Sequence, residues 1–159
     1  MNTKAAFLVT FLFLTSAALA CDAVEPVFED YHTMELALTQ DLPGIAIDGA
    51  KLLDEHAEHW LKEVPATDPR YTDVKIMQDS AKAIVALSAE KLKEIRIHFE
   101  AMSTAIISLI RKVPALQTDW QLYYCSMVKK FWVQPKTDKE LMNPYAGTQM
   151  PHCGSKKPW

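Results

Sequence analysis

From Arg70 to Val113 the chain contains neither proline nor glycine, and Pro114 closes that run. Its second half carries the most regular pattern in the sequence. Leu92, Ile95, Phe99, Met102, Ile106, Leu109 and Val113 recur at alternating intervals of three and four. That period places all seven on one face of an α-helix. As a single helix the whole run would reach about 65 Å at 1.5 Å per residue, longer than so small a domain is wide. The phase also slips between Ile84 and Leu92, and Ser88, with Glu90 following, has the character of a helix start. The run is therefore expected to break near Ser88 into two helices.

The same rhythm recurs upstream, between the breaks at Asp41-Leu42-Pro43-Gly44 and at Val64-Pro65 to Asp68-Pro69. Val24, Val27, Tyr31, Met34 and Leu38 form one stripe, Ala46, Ala50, Leu53, Ala57 and Trp60 a second, and Val74, Met77, Ala81 and Ile84 a third. Four amphipathic helices with short connections imply an all-α fold, a four-helix antiparallel bundle over residues 21–116. An extension, 117–159, is expected to pack on it as part of the same domain. Trp120, Tyr123, Tyr124, Phe131 and Trp132 crowd the start of that extension and favour strand, so Gln121–Val128 and Phe131–Gln134 are candidates for a short hairpin. Pro135 to Trp159 holds four prolines and two glycines and is expected to be irregular.

Composition removes several functions. With 49% hydrophobic residues the chain is too apolar to be disordered, and three cysteines are too few for a disulfide framework. Acidic residues outnumber basic ones 20 to 17, so no nucleic-acid-binding surface is expected. Four glycines argue against a phosphate-cradling loop. There is no Gly-x-Ser-x-Gly, and neither later cysteine has an evident base, so no catalytic role is expected.

The first twenty residues read as an address. A positive start ending at Lys4, an apolar run from Ala5 to Thr15 and the Ala18-Leu19-Ala20 step form a bacterial-type secretory signal, Met1–Ala20. The run is shorter than the roughly 20 residues a membrane span needs. The protein is thus expected in the periplasm or outside the cell. Cys21 follows the cleavage step, where a lipoprotein carries its lipid, although Ala18 and Leu19 match that box poorly. Membrane attachment is expected only if Cys21 is lipidated.

Soft donors gather near the C-terminus. Cys125-Ser126-Met127 and Met150-Pro151-His152-Cys153 place two thiols, two thioethers and an imidazole within thirty residues. In an extended segment Cys125 and Met127 would face the same way. Thiolates and thioethers select Cu(I) over Mg or Ca. Equally, secreted proteins pair their cysteines, and a Cys125–Cys153 disulfide would staple a loop-rich tail, leaving Met127 and Met150 as packing residues. Both readings need the two cysteines side by side. His56 and His59 share a helix face and form a weaker metal candidate, against the plainer reading of a solvated face. Glu29 and His32 make the single Glu-x-x-His step, whereas a di-iron bundle needs two. Met34 and His98 raise a haem-binding bundle, although no Cys-x-x-Cys-His is present.

The tail resembles an uncharacterised bacterial periplasmic domain family, found alone or fused to membrane-fusion adaptor subunits of copper and silver efflux pumps. Cys125, Met127, Trp132, the turn Asn143-Pro144-Tyr145-x-Gly147, Met150 and Cys153-Gly154 carry the likeness. Upstream, Tyr31, Leu36, Leu38, Arg96, Phe99 and Ser103 extend it over nearly the whole chain after the signal. Ser126 stands where that family has proline, and His152 has no counterpart in its pattern. The resemblance implies a soft-metal role linked to efflux, with an efflux adaptor as a partner. The leading expectation is a Cu(I) or Ag(I) buffer or carrier. Cys125 and Cys153 would bind the ion with Met127, Met150 and His152, while Trp132, Asn143 and Tyr145 surround the site. The rivals are a structural interaction module with a Cys125–Cys153 disulfide and a haem-binding bundle.

Overall fold

The structure, a computed structural model, describes residues 24–159. The signal segment Met1–Ala20 and Cys21 lie outside the described residues. Four helices follow one another: α1 (Glu25–Thr39), α2 (Pro43–Glu63), α3 (Tyr71–Val85) and α4 (Leu92–Lys112). Proline marks the entry to α1 and α2, where its missing N–H costs nothing. Asp41 takes the left-handed φ of 56° that turns the chain between them. Arg111 and Lys112 stand in the last turn of α4, where cations suit the helix dipole. Pro114 then opens a short 3-10 turn, Pro114–Thr118. Among the described residues no helix is long and apolar enough to cross a membrane.

The stripes read from the sequence are the buried faces. All five stripe residues of α1, all five of α2 and all four of α3 are buried, as are Ile95, Phe99, Met102, Ile106 and Leu109 of α4. Leu92 and Val113, at the ends of the α4 stripe, are only half-buried. Each large side chain withdrawn fully from water contributes roughly 1.5–3 kcal/mol. Each helix packs on the next in sequence. Gly49 lets α2 approach α1 closely, since a Cβ there would lie 2.8 Å from Cγ of Met34. α1 and α4 meet through side chains: the Tyr31 and Phe99 rings stack with centroids 5.0 Å apart, and the Tyr31 hydroxyl lies 2.8 Å from Ser103 Oγ.

The break near Ser88 is present, but Ser88 does not start α4. Its carbonyl accepts the Lys91 N–H at 3.0 Å in a separate turn, and the helix begins at Leu92. The extension is also more ordered than its prolines suggest. It forms a three-stranded antiparallel sheet in the order β2-β1-β3, from β1 (Trp120–Cys125), β2 (Lys130–Pro135) and β3 (Ser155–Lys157). β1 and β2 form a hairpin as expected, but its first strand ends at Cys125 rather than Val128, because residues 126–129 make the turn. Leu122 and Val133 join the helical core, whereas Tyr123, Cys125 and Trp132 form a second, smaller core beneath Leu141, Tyr145, Val128 and Cys153. The protein is mainly helical, with this small sheet at its C-terminal end.

Candidate functional site

The hairpin register places Cys125 opposite Lys130, at the last paired position of β1. Residues 126–129 form the turn, and Lys129 closes it with a φ of 56°. Strand alternation therefore ends at Cys125 and does not carry Met127 to the same face. Met127 instead stands at the hairpin tip, 67% exposed. Tyr123 stacks on its cross-strand partner Trp132 at 5.7 Å, on the face that also holds Cys125.

Cys153 reaches that face from the other side of β1. Its sulfur lies 2.6 Å from Cys125 Sγ. Cys125 is fully buried, whereas Cys153 borders a shallow surface groove lined by Tyr124, Ser126, Gly154, Ser155 and Lys157. The close approach depends on Gly154, which has a φ of 155° and where a Cβ would lie 2.7 Å from the Trp132 ring. Burial alone would raise the Cys125 thiol. The hydrogen bond from Cys153, the N–H groups of Val128 and Met127 and the Asn143 side chain outweigh it and hold the thiol below its ordinary value. The Cys153 thiol is held up, first by its hydrogen bond to Cys125. Of the two thiols, Cys125 is therefore the one whose surroundings favour loss of the proton.

The Asn-Pro-Tyr turn fixes Cys153. Asn143 is fully buried, and its Oδ1 accepts the N–H groups of Tyr145 at 2.9 Å and Ala146 at 3.1 Å. Its amide donates to the Cys153 carbonyl at 2.6 Å. The Tyr145 hydroxyl donates to Ser103 Oγ at 2.9 Å, and its ring lies 5.9 Å from Phe99 and 6.3 Å from Trp132. Arg96 donates to the Pro144 carbonyl at 2.8 Å. Trp132 and Tyr145 thus pack in the small core that holds the two cysteines, and Asn143 bonds to the Cys153 backbone.

The remaining expected donors are not gathered in the same way. His152 Nδ1 lies 2.7 Å from the Leu141 carbonyl, and its Nε2 faces Glu140 at 3.9 Å. Met150 is half-buried, and its carbonyl accepts the Cys153 N–H at 3.1 Å. An ion with bonds of about 2.3 Å holds two tetrahedral sulfur ligands roughly 3.8 Å apart, so binding here requires the thiols to separate by about 1 Å. His56 pairs with Asp30 at 2.6 Å and His59 with Glu63 at 3.4 Å, each on its own carboxylate rather than on a shared ion. Met34 lies in the core against Gly49, and His98 is half-buried on α4.

Sequence reasoning missed one cluster. His32 Nδ1 lies 2.9 Å from Glu35 Oε2, and its Nε2 lies 3.6 Å from Asp138 Oδ1. Glu35 is fully buried, and burial pushes its carboxyl up to about 8 despite the bond with His32. The i, i+3 step from His32 to Glu35 was visible in the sequence, but Asp138 reaches it only through the fold. Compared with protein-family models, curated proteins and solved structures, the chain shows no match.

Proposed function

We propose that the protein is an exported, non-enzymatic binder of a soft ion, Cu(I) or Ag(I), acting as a buffer or as a carrier to an efflux adaptor. The observation that carries this reading is the meeting of Cys125 and Cys153, 28 residues apart in sequence, with backbone and side-chain donors around the Cys125 sulfur that hold its thiol below its ordinary value. A thiolate is the strongest soft ligand this chain possesses. Met127, exposed two residues from Cys125, would supply a thioether if the hairpin tip folds in, and Met150 and His152 lie just before Cys153 in sequence. The resemblance to the periplasmic family of the efflux systems supports the same cargo. The helices, in this reading, make an antiparallel four-helix bundle that serves as the platform for the tail. Attachment to a membrane follows only from lipidation of Cys21.

A second reading has its own support. Sulfurs 2.6 Å apart, with the thioethers and His152 not drawn in, suit a Cys125–Cys153 disulfide that staples the tail of an interaction module. Titrating the reduced protein with Cu(I) against a coloured chelator separates the two. The metal reading expects one Cu(I) bound by reduced protein and none by oxidised protein. Serine at either cysteine should cost far more affinity than leucine at Met127 or Met150, and affinity should fall with pH as the thiols retain protons. Serine variants that compete as well as the parent would end the metal reading. Reduced protein that takes up no copper would favour the staple.

A further inference from the structure

Independently of the thiol pair, we propose that His32, Glu35 and Asp138 form a binding site for one divalent transition-metal ion of the zinc class. His32 and Glu35 stand one turn apart on the same face of α1. Asp138 comes from the loop after β2, where its N–H bonds to the Pro135 carbonyl at 3.1 Å. One donor atom from each of the three lies within 4.8 Å of the others, the one such group of three among the described residues. Tetrahedral ligands at about 2.0–2.1 Å from zinc lie roughly 3.3 Å apart, and the 2.9 Å and 3.6 Å contacts run from opposite nitrogens of the ring, so they place a carboxyl group on each side of His32.

The second observation is an orphaned oxygen. Glu35 is fully buried, its Oε2 faces His32, and its Oε1 has no hydrogen-bond partner. Burial of that oxygen without a partner favours the protonated carboxyl, and a cation beside it could take the proton's place. With an ion bound and their protons released, Glu35 and Asp138 as carboxylates and His32 as a neutral imidazole would carry two negative charges, which one divalent ion balances. The imidazole now lies between the carboxylates, with one nitrogen toward each. Uptake needs the ring to turn so that one nitrogen faces the ion and gives up its carboxyl partner. One nitrogen and two oxygens suit zinc, whereas Ca and Mg ask for more oxygens.

The surroundings hold the ligands in place. Gln134, itself fully buried, donates to Asp138 Oδ2 at 3.1 Å and leaves Oδ1 toward the cluster. Gln134 is in turn fixed by the N–H of Met142 at 3.0 Å and the indole N–H of Trp132 at 3.3 Å. The His32 ring lies edge-on to Trp120 at 6.4 Å, which shields one flank from water. Oriented carboxylates and a dry flank are what raise a metal site's affinity. His32 and Asp138 are about one-fifth exposed, enough for an ion to enter and for water to complete its coordination.

The test uses the full exported chain with Cys125 and Cys153 kept oxidised, so that thiols cannot compete. Zinc is titrated by calorimetry, and Co(II) is used as a coloured substitute. The expected result is one Zn(II) per chain, at least tenfold weaker in both His32→Gln and Asp138→Asn. Both variants sit at part-exposed positions, and thermal unfolding without metal checks that they remain folded. The cobalt protein should show ligand-field bands without sulfur-to-metal charge transfer. No uptake, uptake indifferent to both substitutions, or a charge-transfer band from sulfur would each overturn the proposal. None of these outcomes bears on Cu(I) binding by the reduced thiols.

Discussion

Arg96 and Asp41 meet with Nη2 2.5 Å from Oδ1, although 55 residues separate them. The same guanidinium donates to the Leu38 carbonyl and to the Pro144 carbonyl, each at 2.8 Å. One planar fork thus joins α4 to the end of α1 and to the Asn-Pro-Tyr turn. Lysine carries a single ammonium and cannot serve three acceptors spread in this way. Arg96→Lys should therefore destabilise the protein by roughly 2–4 kcal/mol, as measured by urea unfolding. A loss below about 0.5 kcal/mol would mean that the fork does not hold the tail.

The same pair sets a pH dependence. Burial would raise the Asp41 carboxyl, but hydrogen bonds from Thr148 and Arg96 outweigh it and hold it below its ordinary value. The folded protein therefore prefers the charged form more strongly than the unfolded chain does. That contribution is fully present above the unfolded pKa of about 3.9 and is lost as pH falls through the lower folded value. The stability gap between the parent and Asp41→Asn should be constant near neutrality and should close only in acid. A gap that persists unchanged at the acid end would contradict this account.

Gly147 lies beneath that contact with a φ of 57°. A Cβ there would stand 2.8 Å from Asp41 Cγ and would crowd the Arg96 guanidinium as well. Gly147→Ala should cost roughly 1–2 kcal/mol for the left-handed backbone, with a further loss from displacing the pair. Thermal unfolding should show a Tm lowered by several degrees, about 2–4 °C per kcal/mol for a chain of this size. An unchanged Tm would be inconsistent with the close packing.

Phe99 is fully buried at the middle of the α4 stripe, stacked on Tyr31 and close to Tyr145. Phe99→Ala should cost roughly 3–5 kcal/mol in denaturant unfolding. It removes contacts to the helices and to the tail together.

Oxidation of Cys125 and Cys153 closes a loop of about 28 residues and should add roughly 3–4 kcal/mol by the chain-entropy argument. Urea midpoints with and without reductant measure the gain. Cys153→Ser should abolish the difference, and a difference that survives the substitution would have to arise elsewhere.

The helices were legible because a 3.6 period leaves a trace at every turn, and the stripe residues proved to be buried apart from Leu92 and Val113 at the ends of α4. Ser88 misled because a capping residue type can equally serve an isolated turn, here through the Ser88 carbonyl. β3 left no such trace. Ser155-Lys156-Lys157 has neither apolar alternation nor β-branching, and it forms a strand because β1 offers it a free edge. The meeting of the cysteines was expected on either reading of the tail, but the alternation argument for Met127 failed once the hairpin turned directly after Cys125. For His32 the sequence drew attention to Glu29, one turn upstream. The fold pairs it with Glu35, one turn downstream, and with Asp138 across the molecule. A one-dimensional pattern holds no record of that last contact.

The helices pack on their neighbours in sequence, whereas the tail's bonds reach far back, from Pro144 to Arg96 and from Val133 to Tyr31. Contacts between near neighbours close sooner than those that must first close a long loop. In a chain emerging from its amino end, the helical core is in hand before the last strand exists. Cys125 is then made with Cys153 still 28 residues behind, and the two sulfurs can meet only once Ser155–Lys157 reaches the edge of β1. Pairing of the two sulfurs is therefore expected late in folding, once the tail docks.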